Sequence, residues 1–225
     1  EEAFYSCYNL TTVVIGNGVT TIEPWAFADC YELTNLTIGN SVKSMGSYCF
    51  KACKKLTDIV IPESVKYIGI FAFCNTGLTS FNVPDTVETI NGGAFVRCPN
   101  LTSLTIPDSV KIEGDVMLYD CTSLTEFVIP TGTTAIAEYA FGSCSNLKSI
   151  TIPDTVTTIG PVAFGHCKSL TNIDIPDSVT SIKYSAFLEC TSLTSIIIPQ
   201  SVTSIGLNIL DSCNFDVIHY AGSVE

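Results

Sequence analysis

Along this chain a short alternation of apolar and polar positions leads to a turn, a second pair of apolar positions and an Ala-Phe-x-x-Cys cluster, and then the pattern starts again. The stretch 170–192, LTNIDIPDSVTSIKYSAFLECTS, is one period. Leu170, Ile173 and Ile175 end in the alternation of a strand with one buried face. Pro176 stops that strand because it has no N–H for a ladder. Pro-Asp-Ser then reads as a turn, with Pro presetting φ and Asp177 able to bond forward to the backbone. Val179 and Ile182 predict a second short extended segment. Ala186, Phe187 and Cys190, three and four apart, predict a single helical turn.

The period shows when the chain is slid against itself. Cys7, Cys30, Cys53, Cys98, Cys121, Cys144, Cys167, Cys190 and Cys213 follow at steps of 23 residues, except for one step of 45, which is 23 plus 22. The unit hidden in that long step is one residue short, since Leu78 lies 22 after Leu56. Repetition at this period is the signature of a solenoid, because one unit cannot bury its apolar face and must stack on its neighbours. The expected fold is a β-rich, right-handed array of about nine to ten 23-residue rungs, each strand, turn, short strand and helical turn. It forms a single domain over 1–225, with 1–9 a partial first rung and 214–225 a terminal strand and exit segment.

The unit L-T-x-[IL]-x-I-P-[DE]-[ST]-V-x-x-I-x-x-x-A-F-x-x-C-x-x resembles the leucine-rich repeats of the BspA-like (Treponema pallidum-type) family, which occur in surface proteins of bacteria and parasitic protists. The resemblance covers essentially the whole chain. It implies a leucine-rich-repeat solenoid, secreted or displayed at a cell surface, that works in adhesion or host-protein recognition and carries no catalytic residues. Some units depart from the pattern. Gly16-Asn17 and Gly39-Asn40 replace Pro-Asp or Pro-Glu, and Val116-Met117-Leu118-Tyr119 replaces the Ala-Phe turn. Lys111-Ile112-Glu113 shifts the second-strand Ile by one place, putting Glu113 at an expected core position and predicting a local bulge or rearrangement.

Composition removes several classes of partner. With 46% hydrophobic and 14% charged residues the chain is not of the disordered type. No apolar run approaches the roughly 18 to 20 residues of a membrane span, so direct membrane insertion is not expected. The formal charge of -12 repels a phosphate backbone, which argues against nucleic acid. The expected partner is another protein, the expected state in solution a monomer, and no cofactor is implied. The opening Glu1-Glu2-Ala3-Phe4, without an initiator Met, reads as a piece of a longer surface protein.

Nine cysteines share one repeat position and should form a buried, reduced file behaving as small hydrophobes, since stacked parallel side chains do not give the crossed disulfide torsion. Cys49 and Cys74 lie off that file and are the candidates for pairing or reactivity. A zinc site would need clustered Cys and His, and only His166 and His219 are present. Asp85, Asp108, Asp154 and Asp177 recur at the corner after the first strand; they are weak calcium candidates, although Pro-Asp is also ordinary turn chemistry. Two surfaces are candidates for binding. Trp25, Tyr48 and Phe71, with Tyr139 further on, hold one angular position and would form an aromatic stripe if it faces outward. Asn35, Asp58, Asn82, Glu126 and Asp174 stand among small outward residues of the first strand, which the resemblance places on the concave face. The rival to a binding module is a structural stalk that displays another domain.

Overall fold

The computed structural model describes residues 1–114 and 118–215, with the backbone of Val217–Tyr220 in addition; residues 115–117, among them Val116 and Met117 of the departing unit, 216 and 221–225 lie outside the described residues. The chain winds into a parallel β-solenoid of about eight turns, fewer than the nine to ten rungs expected from the sequence. First strands pair as Thr12–Ile15 with Asn35–Ile38, Ser80–Asn82 with Ser103–Thr105, Glu126–Val128 with Ser149–Thr151, and Ser195–Ile198 with Val217–Tyr220. Second strands form two ladders. One runs through Thr21–Ile22, Ser44–Met45, Tyr67–Ile68, Thr89–Asn91 and Lys111–Glu113; the other runs through Ala135–Ile136, Thr158–Ile159, Ser181–Ile182 and Ser204–Ile205. Every pairing is parallel, and at the inward positions it sets apolar on apolar, as Ile68 on Ile90 and Ile159 on Ile182.

The third side of each turn corrects the expected helical turn, for the described residues contain no helix. Ala26, Phe27 and Cys30 instead belong to two linked four-residue turns. Ala26 N–H donates to the Glu23 carbonyl and Cys30 N–H to the Phe27 carbonyl, and the third residue of each turn, Trp25 and Asp29, has φ near +60°. Positive φ at that place is the mark of a type II turn, and Pro24 suits the place before it. The intervening amides point along the solenoid axis, so that Trp25, Phe27 and Asp29 donate to the Ser47, Cys49 and Lys51 carbonyls of the next turn. A helix would direct these groups along its own axis and leave the stack unstitched. The apolar spacing is the same in both arrangements.

The core is built of files. Phe27, Phe50, Phe73 and Phe95 stack at centroid separations of 5.4, 5.7 and 5.7 Å, and Phe141, Phe164 and Phe187 resume the stack. Leu118, fully buried, fills the Phe place between the two runs. Beside them runs a file of leucines from Leu33 to Leu193.

Glu113 does not enter the core. The second strand slips so that Ile112 pairs with Ile90, 22 residues earlier, and Glu113 falls opposite Asn91 on the exposed side, where it meets Lys111 at 2.6 Å. Burying an unpaired carboxylate costs several kcal/mol by rough reckoning, so a change of register wins. Gly114 at φ +96° takes up the slip. The predicted irregularity is therefore an end of pairing: among the described residues, both strand ladders are interrupted between the unit ending at Glu113 and the next.

Candidate functional site

The aromatic position lies outside the core, at the first positive-φ residue of each double turn. The Trp25 and Tyr48 rings stack at 4.2 Å with planes 12° apart, and Tyr48 stacks on Phe71 at 5.3 Å. All three are partly exposed. Tyr5 meets Trp25 edge to face at 6.0 Å and lengthens the stripe. Because stacked rings cover one another's faces, the stripe offers mainly ring edges, which carry the positive side of the aromatic quadrupole. Lys51 adds its ammonium 5.0 Å from the Trp25 ring centre and 5.9 Å from that of Tyr48. A second stack, Tyr8 on Tyr31 at 5.3 Å, has Lys54 5.1 Å from the Tyr31 ring.

Tyr139 does not join the stripe. Gly93 holds the next place in the file, at φ +73°, and the Phe71 ring lies across it, 2.5 Å from where a Cβ would stand. Tyr139 packs edge to face on Tyr119 at 6.0 Å instead. Tyr5, Lys51 and Tyr119 were not candidates in the sequence; each occupies a different repeat column from Trp25, and only the folded turn brings the columns side by side.

On the first-strand face Asn35, Asp58, Asn82, Glu126 and Asp174 are all exposed, but the structure does not gather them. Glu126 alone lines a groove of about 610 Å³, with Ser103, Thr105, Asp108, Val128 and Thr151. Asp85, Asp108, Asp154 and Asp177 are exposed corner residues, and the Asp108 carboxylate accepts the Thr131 N–H at 2.8 Å. Among the described residues, no group of three or more acidic, Cys or His side chains converges as a metal site would require.

The cysteine file is reduced and unpaired. Its thiols donate to a carbonyl one turn back, as Cys53 to Phe27 at 3.3 Å, Cys121 to Phe95 at 3.1 Å and Cys190 to Phe164 at 3.1 Å. Burial pushes Cys98 up to about 11 and Cys144 up to about 12, away from the nucleophilic thiolate. Cys49 is wholly buried and pushed up by desolvation. Cys74 is raised by burial too, although Lys51 and Arg97 pull the other way. Neither is paired. The short unit, which lacks its Cys, has Thr76 in the file: its buried hydroxyl donates to the Phe73 carbonyl at 2.9 Å and meets the Cys98 sulfur at 3.2 Å. The signal for Thr76 was its spacing, 23 after Cys53 and 22 before Cys98.

Short parallel strands, a leucine file and a stitched turn face define a leucine-rich-repeat solenoid with an aromatic exterior stripe. The profile of the BspA type leucine rich repeat region matches residues 1–121 and 113–225 in six copies. The chain belongs to that family. It is similar to a leucine-rich repeat protein of Bacteroides ovatus, with 29% identity and a TM-score of 0.89 over 98% of this chain and 58% of that one. It also resembles a leucine rich cell surface protein of Faecalibacterium prausnitzii, with 29% identity and a TM-score of 0.61 over 99% of this chain and 63% of that one. The pneumococcal vaccine antigen PcpA shares the fold at 20% identity and a TM-score of 0.60, over 95% of this chain and 69% of that one. This chain thus spans about three fifths of the length of the first two proteins. No curated protein matches the sequence.

Proposed function

We propose that this chain is a non-enzymatic recognition module of a secreted or surface-displayed protein, adhesin-like, that binds a protein of a host or neighbouring cell. The observation that carries this reading is the exterior stack of Trp25, Tyr48 and Phe71 with Lys51 at its side. Rigid aromatic side chains held outside a core are common anchors of protein contacts, since they bury much area at little entropic cost. A stalk has no use for such a stripe. Location outside the cell is supported by family membership and by the description of similar proteins as a cell surface protein and a vaccine antigen.

The test is a pull-down from extracellular-matrix and epithelial surface extracts with the parent chain and a Trp25→Ser/Tyr48→Ser variant, read by mass spectrometry. A protein retained by the parent and lost by the variant, with the thermal midpoint of the variant little changed, is the expected result. Equal retention would transfer the contact to the first-strand face; no specific retention would leave the stalk as the better reading.

A further inference from the structure

Charge is not spread evenly along this chain of net charge -12. Residues 33–57 hold four of its ten basic residues, Lys43, Lys51, Lys54 and Lys55, and no Asp or Glu, whereas the rest of the chain sets six basic residues against 22 acidic ones. Lys51, Lys54 and Lys55 stand on the turn face, and the next double turn, 69–77, adds no charge of either sign. The repeat brings two of them to the aromatic rings. Tyr8, Tyr31 and Lys54 follow one another at 23 residues in one column, and Tyr5, Ala28 and Lys51 do so in another. Each column thus passes from a ring to an ammonium, and Lys51 comes to rest 5.0 Å from the Trp25 ring centre and Lys54 5.1 Å from that of Tyr31. Two carboxylates lie nearby. Glu32 is taken up by Lys55 at 2.5 Å, and Asp29 acts on the Tyr31 hydroxyl. Among the described residues neither Lys51 nor Lys54 is in an ion pair. A ring attracts an ammonium on one side and leaves its other donors open to water. The exposed ring edges carry positive charge too, so ammonium groups and edges together favour an anion. A sugar would need open ring faces to lie on, and these are covered within the stacks at 4.2 and 5.3 Å. A peptide needs none, since it brings carboxylates on short stems and lays apolar backbone and stem atoms against the edges.

We propose that this face binds an acidic peptide segment, with carboxylates on Lys51 and Lys54 and against the edges of the Trp25, Tyr48 and Tyr31 rings. This names the chemistry of the partner and rests, for the partner's being a protein, on the function proposed above. Because the rings already hold the two lysine stems, little side-chain freedom is left to lose when the segment docks.

Trp25 is the single tryptophan of the chain, so its fluorescence reports on the face itself. The probes are acetyl-Glu-Gly-Glu-Gly-Glu-Gly-amide, the same peptide with Gln in place of Glu, and a heparin oligosaccharide as a sulfated alternative. The expected result is a saturable change in Trp25 emission with the Glu peptide, bound at least about fivefold more tightly than the Gln peptide at low ionic strength. That margin should shrink as salt rises through about 0.15 M. Lys51→Gln/Lys54→Gln should lose the preference and Lys51→Arg/Lys54→Arg should keep it. Lys148→Gln/Lys183→Gln, which takes the same charge from exposed positions elsewhere, should also keep it. Equal binding of the two peptides by the parent, a preference that survives Lys51→Gln/Lys54→Gln, one lost equally in the Lys148→Gln/Lys183→Gln control, or tighter binding of the heparin oligosaccharide than of the Glu peptide would each overturn the proposal. Protein captured in the pull-down without a Glu preference would keep the recognition module and sink the acidic partner alone; a Glu preference without captured protein would keep the acidic-peptide site and sink the adhesin-like role.

Discussion

Thr76 shows by contrast what the cysteines of the other turns do. It shares with them a small side chain and a donor hydrogen, but it gives that hydrogen to the Phe73 carbonyl of its own turn, whereas the cysteines give theirs one turn back, as Cys98 does to the same Phe73 carbonyl. The file therefore supplies a compact donor to carbonyls that would otherwise be under-bonded in an apolar interior. Buried thiols whose folded values are raised must be neutral in the native state. Between about 9, the ordinary value, and about 12, the unfolded chain has released protons that Cys98 and Cys144 retain when folded. Stability from this source is complete below about pH 9 and is lost as pH rises through the folded values. The thermal midpoint should accordingly fall between about pH 8 and pH 11, and less steeply for Cys144→Ala than for the parent. Equal slopes for the two proteins would remove the buried thiols as its cause.

At the scale of the element, the short unit carries the sharpest steric demand. Gly77 takes up the missing residue, and its N–H donates to the Cys53 carbonyl at 3.3 Å. A methyl group there would strike the Lys54 carbonyl oxygen of the preceding turn. Gly77→Ala should cost about 1–3 kcal/mol, the usual range for forced overpacking. Gly16→Ala, where nothing lies within 4 Å, is the control. Urea unfolding of the two variants checks this, and equal midpoints would show that the turns part without cost. The strands, the turns and the buried Ile, Phe and Cys positions were legible along the chain because their periods are local. The double turn was not: Ala26, Phe27 and Cys30 have the same spacing in a helical turn, and hydrogen bonding between successive turns decided between them.

Across the whole molecule the stack is not uniform. Both strand ladders are interrupted after Glu113, but the turn face continues, with Arg97 N–H on the Tyr119 carbonyl and Leu118 N–H on the Ala140 carbonyl. In a linear array each turn is held chiefly by its neighbours, so a weak interface lowers local stability on both sides. Amide exchange should be at least about tenfold faster at Lys111–Glu113 and Ala135–Ile136 than at Ser181–Ile182, within an unbroken ladder. Uniform protection would show that the core and turn face alone hold the array together.

The 23-residue period by itself determined the solenoid, the family, the buried files and the column that carries Trp25, Tyr48 and Phe71, because a stacked array repeats in space what it repeats along the chain. Only the tertiary structure decided that Glu113 turns outward, that Thr76 takes the Cys place in the sulfur file and that Lys51 stands beside Trp25 and Tyr48. Each of these depends on side chains from neighbouring turns or from different columns, and on the balance between register, burial and hydrogen bonding that is struck when the turns pack.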